Sequence, residues 1–252
     1  MSGFRSGALF WRPSELAGCT VLRPSGVLDW DGCRRFGDDL VRYAVDRPRA
    51  VIVAVDDLDL VEDAVATACA SARVRVSDWP DVPIVLVANG LANPTATVAA
   101  RHRVPAFESV EAALRALPAA PARQEASIEL APSTISSMHA RRFVTRMCDR
   151  WDVGQVRTDA LLVATELVEN ALLHAFGELG LSLESQGELL TIAVADADPH
   201  EAMLREPAAG HPARFGLHVV ASLARAWGCA PRWPVGKVVW ATLADHDRPS
   251  LP

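Results

Sequence analysis

Lysine is almost missing from this chain: Lys237 stands alone against 24 arginines in 252 residues. Such a skew reflects genome base composition and carries no functional weight by itself. Cysteine is scarce and badly spaced for chemistry. Cys19, Cys33, Cys69, Cys148 and Cys229 form no CxxC pair, which argues against a disulfide framework and a zinc site and for reduced thiols. No apolar run approaches the ~20 residues a transmembrane helix needs. The opening stretch, Met1 to Glu15, lacks the apolar core of a secretory signal. There is no basic block either. Fourteen basic and 16 acidic residues precede position 127, with 11 and 15 from there on, so neither half is a nucleic-acid module. What remains is a cytoplasmic chain, half hydrophobic and 22% charged, with enough apolar material for a packed core.

Length suggests two domains. The seam is Pro118 to Ala126, small, Pro-punctuated and without an apolar period, and it reads as a linker. Before it, strand and helix signals alternate. Thr20–Leu22 and Gly26–Leu28 are short apolar runs around a Pro-Ser-Gly turn, and Asp31 is positioned to cap a helix to about Val45. Ala50–Val55 and Val82–Ala88 are continuous β-branched runs, as in strands covered on both faces. Helices are expected over 62–76, from Pro94, and after Ser109 as its cap, with a last strand at Val104–Phe107. This is the pattern of an α/β sheet layered with helices.

The second half reads differently. A short strand is expected at Ile128–Leu130, then a helix capped by Ser136 or Ser137 and running to about Trp151. Thr158 should cap a long helix over 159–175 whose core stripe is Leu161, Val168, Leu172 and Ala175. Hairpins follow around Gln186-Gly187 and Val235-Gly236, separated by a Pro/Gly/His-rich loop and a helix over 215–226. Helices followed by antiparallel strands make an α+β layer pair.

The chemistry is concentrated there. Glu166 and Asn170 are i and i+4, so they share one face of the long helix, which His174 extends by a turn. A carboxylate and an amide oxygen so placed can serve as general base and as ligand to a hard cation such as magnesium; alone, they would read as a solvated polar face. Asp196 stands where a buried strand ends, able to accept a hydrogen bond from an exocyclic amine such as adenine's. Gly216 and Leu217 open a helix whose N-terminus suits phosphate.

In this order, TELVENALLHA, VADADP, RFGLHVVASLARAWG and GKVVWATL resemble the anti-sigma-factor serine kinases of the GHKL class, the histidine-kinase-like ATPases with the Bergerat fold. The resemblance covers about 127–246. It implies a C-terminal Bergerat-fold sandwich that takes ATP and Mg²⁺, with Glu166 as catalytic base and Asn170 as the magnesium ligand. Asp196 would read adenine, while Gly216 and Leu217, with His174 nearby, would border the nucleotide. The chain departs from the pattern at Asp198, where relatives often carry Gly, and at Val238, where many carry Thr. Only Gly216 remains of the usual glycine-rich lid end.

The first half, about 18–117, is similar to STAS domains, the fold of anti-sigma-factor antagonists, on its order of strands around AVIVAVDDL and WPDVPIVLV. The usual acceptor serine is missing from Asp56–Asp63; the nearest hydroxyl is Thr67, and Ser71 and Ser77 lie too far along to be easy substitutes. That acidic run reads as a solvated loop or as a mimic of the phosphorylated state. Together the two resemblances imply a protein serine/threonine kinase acting on a separate STAS-type antagonist in a partner-switching pathway that regulates transcription. The alternative is a non-catalytic ATP-binding module that sequesters a sigma factor or a STAS protein. Relatives of this type are often homodimers. No membrane or direct nucleic-acid partner is expected. His102 and Trp227, Trp233 and Trp240 read as surface or packing residues, His200 and His211 lack metal spacing, and Cys148 and Cys229 read as inert thiols.

Overall fold

Two compact units, Met1–Ala120 and Pro121–Pro252, divide the chain in a computed structural model. The structure describes residues 9–89, 94–119, 122–174, 177–204 and 216–244. Each unit is taken by itself.

In the first, strand β1 (Phe10–Leu16) turns through Ala17 and Gly18, both with positive φ, into β2 (Cys19–Leu28) and pairs with it antiparallel. Every other pairing in this sheet is parallel. β2 meets β3 (Val51–Ala54) through Thr20–Leu22 and β4 (Leu58–Leu60) through Gly26–Leu28. β3 then pairs with β5 (Ile84–Val87), and β5 with β6 (Ala106–Phe107). The order is β1-β2-β3-β5-β6, with β4 beside β2.

All residues of β3 and β5 are buried, as a sheet covered on both sides requires. Ile52, Ala54, Val85 and Val87 pack with Val110 and Ala113 of helix α4 (Val110–Ala116). The alternate residues Val51, Val53, Ile84 and Leu86 point the other way. Helices α1 (Cys33–Val45) and α2 (Glu62–Arg75) pack against β3 and β5 and against each other, and α3 (Pro94–Arg101) packs against α2.

Four expectations need correction here. The sheet begins eight residues before Gly18, with β1. The two runs around Pro-Ser-Gly form one strand that bends at Gly26 (φ +115°). Asp31 does not cap α1; the Asp29 carboxylate accepts the Gly32 N–H instead. Asp56–Asp63 is not simply a solvated loop, because β4 lies within it and Asp56 Oδ1 accepts the Asn89 N–H. Ser109 does cap α4, accepting the Ala112 N–H at 3.1 Å.

The second unit is a five-stranded antiparallel sheet in the order β10-β11-β9-β8-β7. Its strands are β7 (Gln124–Leu130), β8 (Leu179–Gln186), β9 (Leu189–Asp196), β10 (Ala226–Pro231) and β11 (Lys237–Ala244). The expected linker therefore ends early, since Gln124–Ala126 belong to β7. Helices α5 (Ser136–Trp151), α6 (Arg157–His174) and α7 (Gly216–Leu223) complete the unit. Leu181, Leu183, Ile192, Val194, Val239 and Ala241 from alternate strand positions share one core with Phe143, Val144, Met147 and Leu167 of α5 and α6.

The stripe that α6 buries is Ala160, Val163, Ala164, Leu167, Val168 and Ala171; Leu161 and Leu172 lie at its margin. Ala175 falls outside the described residues. Ser136 and Thr158 sit inside their helices rather than capping them. The Ser136 hydroxyl donates to the Ala131 carbonyl, and a 3₁₀ turn, Gly154–Val156, leads into α6. α7 is shorter than expected because Ala226 is already in β10, held by pairing with β11. Among the described residues no helix is long and apolar enough to cross a membrane.

Candidate nucleotide site

Glu166 and Asn170 lie on α6 as the helical period requires, both half-buried beside the fully buried Leu167 and Ala171. Helix α7 packs on α6, and its first residue meets Glu166. A β-carbon on Gly216 would stand 2.6 Å from Glu166 Oε2. Burial pushes the Glu166 carboxyl above its ordinary value, and repulsion from Glu169 adds to the effect. A carboxylate made more basic in this way can accept a proton.

The second part of the site is at the end of β9. Asp196 and Lys237 are opposite one another in the β9–β11 register. Asp196 is an even step from Ile192 and Val194, and Lys237 from Val239 and Ala241, so both face the helix-covered side of the sheet. Lys237 Nζ donates to Asp196 Oδ1 at 3.0 Å, to Asp198 Oδ2 at 2.8 Å and to the Asp198 carbonyl at 3.3 Å. Asp196 Oδ1 also accepts the Asp198 N–H at 2.8 Å. The side chains of Asp196 and Lys237 are 0% and 3% exposed.

Asp196 Oδ2 is buried and, among the described residues, has no hydrogen-bond partner. An unpaired buried acceptor of this kind fits the amino group of a nucleobase. The Lys237 hydrogen bond, followed by that from His200, holds the Asp198 carboxyl well below the usual carboxylate range. Gly236 has φ +127°, and a β-carbon there would fall 2.1 Å from the Asp196 carbonyl oxygen, so the turn before β11 must pass this close as glycine.

The remaining expected site residues separate. Leu217 is partly buried and packs against the core of the unit. His174 is exposed at the last position of α6, with no hydrogen bond or ion pair among the described residues. His211 and the rest of 205–215, where the Pro/Gly/His-rich stretch is expected to form a loop, lie outside the described residues. Lys237 and Asp198 are the site residues that sequence reasoning missed. Lys237 was visible only as a lone lysine, and Asp198 only as a departure from glycine.

Among the described residues no three His, Cys, Asp or Glu side chains gather as a metal site. Asn170 alone could ligate magnesium only alongside the phosphates. A cavity of about 750 Å³ between α5 and α6, lined by Arg141, Arg142, Arg146 and Glu169 among others, is separate; Glu166, Asn170 and Asp196 do not line it. All five cysteines are free thiols pushed up by burial, Cys69 to about 12, which leaves them unreactive. Trp240 is buried against Gly228, and Trp233 is partly exposed at the β10–β11 turn.

No protein-family model matches the chain, and no curated protein does. Solved structures similar to part of it include the following two. One is an anti-sigma factor antagonist from Mycobacterium paratuberculosis, 17% identical over 44% of this chain and 94% of that one, with a TM-score of 0.37. The other is RsbS of Moorella thermoacetica in a Ser-to-Glu variant, 15% identical over 42% of this chain and 93% of that one, with a TM-score of 0.34. Values this low record a likeness and carry no inference about activity.

Proposed function

We infer that the C-terminal unit is a Bergerat-type ATP site and that the chain is a cytoplasmic protein serine/threonine kinase of the anti-sigma type. Its substrate would be a STAS-type antagonist in a partner-switching pathway, and a sigma factor is the further partner this implies. The observation that carries the reading is Asp196: a buried carboxylate at a strand end, fixed through Oδ1, with Oδ2 left for a donor. In this role Asn170 would hold Mg²⁺, which supplies charge neutralisation across the phosphates when bound. Glu166 would take the proton from the substrate hydroxyl, its basicity raised by burial. The first unit is read as a STAS-like module without the usual acceptor: Thr67 is half-buried in α2, and the Ser77 hydroxyl donates to the Val74 carbonyl.

The alternative, a nucleotide-binding switch without transfer, is favoured by one observation. Of a glycine-rich lid end, only Gly216 remains beside the α7 N-terminus. Calorimetric titration of the full chain with ATP, with and without magnesium and on Asn170→Ala, tests the site. Magnesium-dependent binding that the substitution abolishes is expected, and absence of ATP binding by the parent overturns the reading. Transfer of labelled phosphate to a STAS protein then separates kinase from switch.

A further inference from the structure

Lys237 is the chain's single lysine, and its ammonium is buried where solvent cannot stabilise it. An ammonium has three N–H donors. Here all three have acceptors: Asp196 Oδ1, Asp198 Oδ2 and the Asp198 carbonyl. None is spare for a ligand. Asp196 Oδ1 is likewise occupied, by Lys237 and by the Asp198 N–H. The group is therefore asymmetric, because its donors are used up and its one unmet requirement is a donor for Asp196 Oδ2.

We propose that Lys237 is a positioning residue that fixes nucleobase specificity: by clamping Asp196 Oδ1 it leaves Oδ2 as an acceptor for an exocyclic amine and withholds any donor from a carbonyl. This rests on the nucleotide reading of Asp196. A base with an amino group at the contacting position gains a hydrogen bond to a buried charged acceptor. A base with a carbonyl there places two acceptors face to face. Relief would need Lys237 to abandon a buried ion pair, which is strongly unfavourable. Lys237 touches no base itself, and its effect is transmitted through the orientation of Asp196.

The test is equilibrium binding to the full chain of ATP, inosine 5′-triphosphate (a carbonyl in place of the amine) and purine riboside 5′-triphosphate (hydrogen in its place). The parent should prefer ATP over both analogues by about ten-fold or more, the worth of one hydrogen bond to a charged group. Lys237→Arg keeps the charge, and thermal melting checks that it keeps the fold. Its planar, longer head cannot reproduce the three-point clamp, so ATP affinity should fall toward that of the analogues while theirs stays unchanged. A loss shared equally by the three nucleotides would reduce Lys237 to a structural role and overturn the proposal. So would an unaltered ATP preference in the variant, a result that leaves the nucleotide reading standing; no preference in the parent overturns the proposal and, with it, the assignment of Asp196 as the adenine reader. Failure of the parent to bind any of the three overturns both.

Discussion

The carboxylate of Glu166 lies against the backbone of Gly216, 2.6 Å from where a β-carbon would be. The group assigned as base therefore depends on the smallest possible residue at the head of α7. The obstruction to a larger one is the far end of a flexible side chain, which can swing aside. Gly216→Ala should accordingly leave the fold intact and move the carboxylate. Phosphoryl transfer should drop in that variant, with a melting temperature close to the parent's. In a Glu166→Ala background the same substitution should have no further effect on turnover. Additive losses in that double-mutant cycle would show that the two residues act separately.

Glu166 itself predicts a pH dependence of defined sign. Its folded carboxyl titrates above the unfolded value of about 4.3. The fold thus favours the protonated form, and ionised Glu166 costs stability above the folded pKa. Glu166→Gln should raise the melting temperature at neutral pH, with the gain shrinking as pH falls through the folded pKa toward about 4.3. Transfer should be lost in the variant by roughly 10²–10⁴. A variant no more stable at pH 7 than the parent would contradict the burial argument.

Asp198 behaves in the opposite way. Its folded carboxyl sits below the unfolded value of about 3.9, so its contribution is complete above that value and declines as pH falls below it. Asp198→Asn should lower the denaturation midpoint at pH 7, and the difference from the parent should narrow in acid below about pH 4. A gap that is constant with pH would mean the loss is one of packing, not charge.

At Asp196 the prediction joins stability to binding. Asp196→Asn keeps the shape but breaks half of a buried pair. A cost of about 3 kcal/mol in chemical denaturation is expected, at the lower end for such pairs because Asp198 still engages Lys237. ATP binding should weaken in the same variant. Unchanged stability together with unchanged affinity would leave Asp196 as an ordinary strand end.

The boundary between the units can be tested with fragments. One that begins at Ala122 keeps all of β7 and should fold and bind nucleotide. One that begins at Ser127 cuts into a strand that pairs with β8 from Gln124 onward, and removes Arg123, whose Nη1 is 3.1 Å from Glu184 Oε1. The shorter fragment should melt lower. Mixed with ATP and the longer fragment, the isolated N-terminal unit should take up no phosphate, and label on it would identify an acceptor at Thr67 or Ser71.

How legible these features were in the sequence follows from how local each one is. β3 and β5 announce themselves through unbroken β-branched runs, α4 through Ser109, and the β8–β9 hairpin through Gln-Gly. β1 did not, because Phe10–Leu16 is an edge strand with a proline and mostly exposed side chains. β4 hides inside an acidic run because it is made by backbone pairing with β2, which side-chain polarity does not report. The end of α7 is earlier than Ala224-Arg225-Ala226 suggests, because the Arg225 N–H donates to the Thr242 carbonyl and Ala226 already pairs with β11 as strand. Glu166 and Asn170 follow from helical spacing alone. The Asp196–Lys237 pair does not, because its members are 41 positions apart and only the β9–β11 register brings them opposite.

Gly236 has a bearing on how sequences like this one should be compared. Its φ of +127° and the 2.1 Å approach to the Asp196 carbonyl each exclude a side chain, whatever the neighbouring residues are doing. The codon is thus held by the shape of the chain and would be kept in descendants that had lost every trace of nucleotide chemistry. Lys237, one position on, is held in another way, by the two carboxylates that its ammonium pairs with. In a lineage whose site had fallen silent, the glycine would stay by itself, whereas the lysine could drift only together with Asp196 and Asp198, so joint loss of those three beside a retained glycine would record disuse.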